Sequence, residues 1–310
     1  MRIGSQSSIQ QVKTNLSRPA ERLGILYGQL TSGRRLARPS DDPVAAARVV
    51  QGQAALDELG SRKFVLQMGK QLIGAADSAL GEIYGSLSRC KDLVLQGVAP
   101  TLQPDERRAM ANEIRSLASS MVTAANTRVQ GQYIFAGSQT NTMPFEADED
   151  ANLPVLYHGN HQQVIYTLTQ TDTAPAGLTG SEIFNYPDAT GTRPIDGVDQ
   201  DVFSLLSDLA DAVERGDVNA VTELSPDLEA TYSHIVGLRG QTGVIAQRYE
   251  RALNVADDTE VRVKELLSVD RDVDYASAIS DLSREQTVYQ AALSMTSRLL
   301  EMPDLFDLPW

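Results

Sequence analysis

The stretch IVGLRGQTGVIAQRYERALNVADDTEVRVKEL, residues 235–266, decides the fold of this 310-residue chain. Its apolar or small residues recur in alternating steps of three and four, at Ile235, Leu238, Thr242, Ile245, Tyr249, Ala252, Ala256, Thr259, Val263 and Leu266. This rhythm is the seam of a coiled-coil helix, and its length is unusual for a compact globule. We therefore predict a long helix that starts at Ser225-Pro226 and is interrupted by the cluster Asp270–Asp274.

The same rhythm marks both ends of the chain. Near the N-terminus it is broken once, by Pro19, which should kink or restart the helix. A plain amphipathic helix packed inside a globule would share the stripe, but the surrounding Ser, Gln and Arg favour a narrow seam between helices. The seam residues that we expect to mediate subunit assembly are Ile9, Val12, Leu16, Leu23, Leu26, Leu30, Ile279, Leu282, Tyr289, Leu293 and Leu300.

Helix ends between these seams can be placed from capping residues. Gly33 can end the first helix, and Asp42 before Pro43 is typical of an N-cap with proline at the first helical position. Two further helices should form an antiparallel hairpin joined around residues 97–103. The first of them carries Cys90 on its apolar stripe, which favours buried packing over a reactive thiol.

The middle of the chain has a different texture. From Gly131 to about Asp201, short β-rich runs such as Val164–Thr169 are separated by Gly, Pro, Asn and Asp. A helix should then run from Val202 to Arg215 and stop at Gly216. The predicted fold class is therefore mainly α with a β-rich insertion and with coiled-coil helices at both termini.

Charge is distributed unevenly within a net total of −14. Residues 140–230 hold seventeen acidic and two basic side chains, so binding to nucleic acid is not expected there. Residues 1–40 are basic and residues 260–310 acidic, so the two ends should attract each other, with Arg18, Arg22, Arg34 and Arg35 facing Asp281, Glu285, Glu301 and Asp304. No apolar run approaches the ~20 residues of a membrane span, and the start lacks the apolar region of a cleaved signal.

Three segments together resemble the bacterial flagellin superfamily. Residues 29–43, with the sequence QLTSGRRLARPSDDP, are similar to its N-terminal signature, and residues 274–279 and 286–293 are similar to its C-terminal helix. The stretch NTRVQGQYIFAG at 126–137, followed by TMPF at 142–145, resembles more specifically the hook-associated protein 3 branch of that superfamily.

The resemblance implies a flagellin-like architecture in three parts. Residues 1–43 with 270–310 would form a terminal helical axial domain, residues 44–139 with 202–269 a helical rod domain, and residues 140–201 an acidic β-rich outer domain. It also implies a homo-oligomeric ring at the junction between hook and filament, in contact with hook-associated protein 1 and flagellin. Export would use the flagellar secretion apparatus and an export chaperone, without a cleaved signal peptide.

Two other functions are weighed against this one. A filament flagellin is the alternative within the same superfamily. A metal-dependent hydrolase centred on the acidic middle is the alternative from another class, but only His158 and His161 suggest it, and Asp148–Gly159 lacks the glycine and glutamate of a calcium-binding EF-hand loop. The sequence also has no nucleophile elbow and no phosphate-binding glycine loop. We therefore predict no catalytic, cofactor-binding or metal-binding residues.

Overall fold

The computed structural model describes residues 3–36, 38–99, 101–147, 155–169, 171–187 and 191–301, with side chains from 13 to 298 in those ranges. Seven helices lie in this part of the chain: α1 (Ile3–Ser32), α2 (Pro43–Gly97), α3 (Pro104–Ala125), α4 (Gly180–Phe184), α5 (Val202–Arg215), α6 (Val218–Arg271) and α7 (Tyr275–Glu301). Six short strands accompany them: β1 (Arg128–Val129), β2 (Gln132–Tyr133), β3 (Phe145–Ala147), β4 (Val155–Tyr157), β5 (Ile165–Thr167) and β6 (Thr173–Pro175). The predicted fold class is confirmed.

Capping residues end the helices where the sequence predicts. Gly33 follows α1 with φ of +70°, a left-handed conformation that suits glycine. The Asp42 carboxylate accepts a hydrogen bond from the amide of Ala45 at 3.0 Å and so caps α2. Helix α5 begins after Asp201, which accepts from two first-turn amides, and ends at Gly216 with φ of +69°.

Two prolines do not act as predicted. Helix α1 continues through Pro19 and does not restart there. Helix α6 begins at Val218, not at Ser225-Pro226, because the Asp217 carboxylate accepts from the amides of Asn219 and Ala220 at 3.1 Å. A proline inside a helix removes one backbone hydrogen bond. Helices α1 and α6 have 30 and 54 residues, so the remaining hydrogen bonds maintain each helix across its proline.

The chain divides into two compact units, residues 1–59 with 258–310 and residues 60–257, which we call the terminal unit and the central unit. The core of the central unit is built from α2, α3, α5 and α6. An ion pair of 2.7 Å between Arg89 and Glu113 joins α2 to α3 on either side of their connection, as an antiparallel hairpin requires. The boundaries of the three domains predicted above stay a prediction.

The helical seams of the central unit point into this core and into a second, smaller cluster that includes Leu66, Ile73 and Tyr249. All nine members of the α2 stripe are buried: Leu66, Gly69, Ile73, Ala76, Leu80, Ile83, Leu87, Cys90 and Val94. On α6 the seam is buried or half-buried as far as Val263, but Leu266 is 70% exposed and its neighbour Leu267 is buried instead. The prediction was therefore wrong by one residue at the end of that seam.

Gly69 allows α2 and α6 to approach closely. A Cβ atom at this position would lie 2.2 Å from Cε1 of Tyr249, whose side chain is fully buried. The Tyr249 hydroxyl donates to the carbonyl of Pro175 at 3.1 Å, so the same ring also holds strand β6 against the helices. Burial raises the pKa of Tyr249, which keeps the hydroxyl protonated as a donor.

The middle segment consists of three two-stranded antiparallel ladders, β1–β2, β3–β4 and β5–β6. The β1–β2 turn is Gln130-Gly131, and both residues have positive φ, 51° and 85°. Two such residues between paired strands are the signature of a type I′ hairpin turn. Phe145 of β3 then anchors an aromatic cluster, with ring centroids 5.0 Å from Tyr157 and 4.9 Å from Phe184.

The stretch that resembles hook-associated protein 3 is partly buried inside the central unit. The Asn126 amide donates to the carbonyl of Phe145 at 2.8 Å and its oxygen accepts from the Phe145 amide at 3.1 Å, so α3 is tied to β3. The side chains of residues 133–136 are all buried. Gly137 has φ of +66°, and a Cβ there would lie 2.2 Å from Oδ1 of Asn160. The second half of this motif, residues 133–137, therefore contributes to the core, whereas residues 130–132 and Met143 are exposed.

Candidate assembly surface

Helix α1 presents a narrow apolar face within the terminal unit. Leu16, Leu23, Leu26 and Leu30 are each half-buried, and Pro19 between them is buried. Ile9 and Val12 lie in α1, but their side chains are outside the described residues. Proline inside this face keeps it apolar without adding a long side chain.

Helix α7 has two neighbouring stripes. Its most buried face begins at Ala278 and continues through half-buried side chains at Leu282, Glu285, Tyr289, Ala292 and Thr296. Two of the predicted seam residues lie beside this face and are more exposed, Ile279 at 57% and Leu293 at 44%. Leu300 is outside the residues with described side chains. Of the predicted C-terminal seam, Leu282 and Tyr289 are thus packed in the chain, while Ile279 and Leu293 are left open.

The two terminal helices pack against each other in opposite directions. The amide of Gln286 donates to the hydroxyl of Tyr27 at 2.8 Å, and Arg22 lies 3.9 Å from Glu285. The second contact is one of the charge pairs that the opposite charges of the chain ends predict. Because Arg22 is mostly exposed, the pair contributes at most ~1 kcal/mol.

The segments that end α1 and α6 meet in a short joint. The Arg35 amide donates to the carbonyl of Arg271 at 2.8 Å, and the Val273 amide donates to the carbonyl of Gly33 at 3.0 Å. These bonds form an isolated antiparallel bridge between Arg34 and Asp272. The joint therefore connects the start of α7 to the end of α1 through main-chain hydrogen bonds.

Asp270 concentrates the charge contacts of this joint. Its two carboxylate oxygens accept from Nε and Nη2 of Arg48, both at 2.7 Å. Its carbonyl oxygen accepts from Nε and Nη2 of Arg35, at 3.2 and 2.9 Å. The hydrogen bond from Arg48 holds the pKa of the Asp270 carboxyl below its usual value. Arg35 had been expected to pair with the C-terminal acids of α7, and the structure gives it Asp270 and Asp42.

Several exposed apolar residues of the terminal unit are absent from the predicted seams. They are Ile25, Tyr27, Val44, Val50, Val261, Val269, Tyr275, Val288 and Met295. On α7, Val288 and Met295 are one heptad apart, a spacing that returns to the same side of a helix. The heptad spacing could have identified Val288 and Met295 from the sequence, but a pattern of two residues is a weak signal.

The residues considered for catalysis or metal binding do not converge. His158 lies 3.1 Å from Glu146, whereas Nδ1 of His161 lies 2.8 Å from the Ser181 hydroxyl. Across the described ranges, no three His, Cys, Asp or Glu side chains are grouped to hold a metal ion. Residues 148–154 of the calcium-loop candidate are outside those ranges. The described surface of the terminal helices can therefore bind a partner through apolar contacts, with charged side chains at the edge of the apolar area.

Cys90 is buried in the central unit, as predicted from its place on the α2 stripe. Burial raises the pKa of its thiol to about 12, so very little thiolate is present at neutral pH. None of the described helices combines the length and apolarity that a bilayer span requires.

Two family models match the chain. Residues 3–140 match the bacterial flagellin N-terminal helical region, and residues 228–306 match the bacterial flagellin C-terminal helical region. The unmatched part, residues 141–227, contains most of the acidic middle.

Similar proteins cover nearly the whole chain. It is 24% identical to flagellar hook-associated protein 3 of Salmonella typhimurium over 305 residues, which are 94% of this chain and 95% of that protein. It is 23% identical to flagellin of Bacillus subtilis over 288 residues, which are 89% and 88% of the two chains.

Solved structures share the fold. FlgL from Xanthomonas campestris has a TM-score of 0.59 at 19% identity, covering 71% of this chain and 99% of that one. Hook-associated protein 3 from Legionella pneumophila has a TM-score of 0.61 at 13% identity, covering 71% and 98%.

Proposed function

The chain belongs to the bacterial flagellin family, and we propose that it is the structural subunit of the junction between flagellar hook and filament. The observation that carries the proposal is the similarity to hook-associated protein 3 along 94% of the chain. The flagellin matches are weaker and shorter, which favours the junction over the filament. The family is one of flagellar structural proteins, and its members belong to an extracellular appendage.

Assembly through the terminal helices is supported by their exposed apolar side chains. Ile279 and Leu293 continue the α7 seam but remain open to solvent in the single chain. Apolar side chains in a stripe along a helix gain free energy when a second helix covers them, at about 25 cal/mol per Å². A neighbouring subunit is the partner that a structural protein of this family supplies in quantity.

The proposed partners follow from the position at the junction. A homo-oligomeric ring of this chain would contact hook-associated protein 1 on the hook side and flagellin on the filament side. Before assembly, an export chaperone would bind the chain for delivery by the flagellar secretion apparatus. The role proposed here involves neither nucleic acid nor membrane.

Gene disruption and labelling test this function directly. We expect disrupted cells to carry hooks without filaments and to release flagellin into the medium. Immunogold labelling of the native protein should give one band at the distal end of the hook. Label along the whole filament would instead identify the chain as a flagellin, the second candidate.

We also infer that the chain has no catalytic activity. His158 and His161 contact different partners, Glu146 and Ser181, and so do not form one site. Elemental analysis of the purified protein is a direct test. Stoichiometric zinc or manganese would contradict this inference and restore the hydrolase hypothesis.

A further inference from the structure

We infer that Asp270 is a positioning residue that selects the register in which α7 packs against α1. The inference concerns the joint within the terminal unit, where the end of α1 and the start of α7 are bridged. It does not depend on which flagellar structure the chain builds.

The main-chain bonds of the joint cannot select a register by themselves. The bonds from Arg35 to Arg271 and from Val273 to Gly33 use amides and carbonyls that every residue offers. A bridge shifted along the chain would form equivalent bonds. An α-helix rises about 5.4 Å per turn, so a slip by one turn would keep a similar face of α7 towards α1 but replace each contacting residue by the one about four positions further on.

The side chains at Asp270 remove this ambiguity. The Arg48 guanidinium binds both carboxylate oxygens in a two-pronged contact, and such planar contacts tolerate little displacement. Arg35 grips the carbonyl of the same residue from the α1–α2 connection. Asp270 is therefore fixed both to helix α2 and to the segment that follows α1.

The apolar contacts of the terminal unit are poorly suited to the same task. Among the described residues of this unit, the buried apolar side chains are Pro19, Ala45, Leu267 and Ala278. Two of these are alanines, which fit many alternative positions on a helix. With so few buried apolar side chains, the directional hydrogen bonds of the joint are the more specific contact between the elements of this unit.

The surroundings of Asp270 are mainly cationic. Arg48 comes from α2, Arg35 from the α1–α2 connection, and Asp42 lies 3.7 Å from Arg35. Arg271 is engaged separately with Asp272 at 2.8 Å. Replacing Asp270 by Asn keeps its shape but removes the anionic partner of the two-pronged Arg48 contact and leaves Arg35 with Asp42 as its carboxylate.

Thiol cross-linking of the full-length chain measures the register. One variant carries Tyr27→Cys with Gln286→Cys, at side chains that touch in the native register, and a second carries Tyr27→Cys with Gln290→Cys, one turn further along α7. Buried Cys90 leaves the introduced thiols as the reactive ones. A short bifunctional thiol reagent should link the first pair about tenfold faster than the second, since one helical turn moves the second thiol by about 5.4 Å.

In both cysteine backgrounds, Asp270→Asn should reduce this preference to about twofold or less, because the two-pronged contact that fixes the register is lost. The matched control is Glu113→Gln, which removes an ion pair of the same 2.7 Å length from the central unit. It should leave the preference unchanged. Exchanging the charges, with Arg48→Asp and Asp270→Arg together, should restore at least part of it.

Three results would overturn the inference. The tenfold preference could persist in Asp270→Asn, in which case other contacts set the register. Both cross-links could disappear in Asp270→Asn, which would mean that Asp270 holds the helices together without choosing between registers. Neither pair could cross-link in the otherwise native chain, and α1 would then not lie along α7 as described.

Discussion

Apolar residues have the same three–four spacing in the terminal unit and in the central unit, but the resulting stripes have different roles. Leaving proline aside, three of the 48 buried apolar side chains in the described part of the chain belong to the terminal unit. Yet that unit holds twelve of the 22 exposed large apolar side chains. In the central unit the stripes meet one another and become a core, whereas in the terminal unit much of the apolar surface remains available. A seam therefore predicts a helix but does not say whether its partner lies in the same chain.

The largest expected effect is a loss of assembly, without a loss of stability, when apolar side chains of the terminal unit are shortened. Changing Leu23 and Leu293 together to Ala should abolish a stable junction, because each leucine loses ~1.5–3 kcal/mol of burial in every assembled subunit. The main melting transition of the soluble chain, which the central unit supplies, should be nearly unchanged. Counting filaments by electron microscopy and melting the purified protein test the two halves of this prediction. An early melt in the double variant would show that these side chains belong to a core within the chain.

A substitution in the core of the central unit should have the opposite effect, a loss of stability without a loss of assembly. Leu80 is fully buried, so Leu80→Ala should lower the free energy of unfolding by ~2–5 kcal/mol through lost burial and a cavity. Thermal or urea denaturation measures this loss. Filaments should still assemble in cells grown at low temperature, where enough folded subunit remains. A normal melting temperature would contradict the assignment of Leu80 to the core.

Two glycines of the central unit compare a position inside the core with one on an open helix surface. Gly69→Ala places a Cβ 2.2 Å from the Tyr249 ring and should destabilise the central unit by ~1–3 kcal/mol. Gly240 in α6 has no atom within 4 Å of a built Cβ, and Gly240→Ala should stabilise the helix by ~0.5–1 kcal/mol. Both are measured by denaturant titration of the same protein. Equal shifts of the same sign would show that close packing at Gly69 is not what requires glycine there.

The smallest effect concerns pH in the terminal unit. The pKa of Asp270 is lowered by Arg48, so its carboxylate binds fewer protons in the folded chain than in the unfolded one. Its contribution to stability is present above the ordinary Asp pKa and is lost as pH falls through the lower, folded value. Hydrogen exchange at the amides of Arg35 and Val273 should therefore accelerate only in strong acid. Acceleration that begins near pH 6 would point to another group.

Features of the fold could be predicted from the sequence where they depend on neighbouring residues, and not where they depend on contacts between distant parts of the chain. The boundaries at Gly33, Pro43, Val202 and Gly216 were predicted because glycine, proline and aspartate act on their own neighbours. The start of α6 differs from the prediction because Asp217 caps the helix eight residues before Ser225, and the helix continues through Pro226.

The candidate site was predicted in part for the same reason. Spacing identified Leu23, Leu30 and Leu282 as members of a helical face, and they are half-buried there. It could not show that Leu293 would be open or that Asp270 would bind Arg48, 222 residues away. Which charged residues pair over long range depends on the folded path of the chain. The opposite charges of the two ends indicated that the ends attract each other, but not that Asp270 would bind Arg48.

Because Cys90 is buried, the reactivity of its thiol reports whether the chain is folded. The chain has one cysteine, and it lies in the core of the central unit with its thiol kept protonated. If the chain is unfolded during the proposed export, that thiol is accessible in transit and shielded once the subunit has folded in place. A membrane-impermeant thiol reagent added to living cells would then leave installed subunits unmarked and tag those that reach the medium without folding. A single side chain would thus distinguish completed delivery from failed delivery, molecule by molecule.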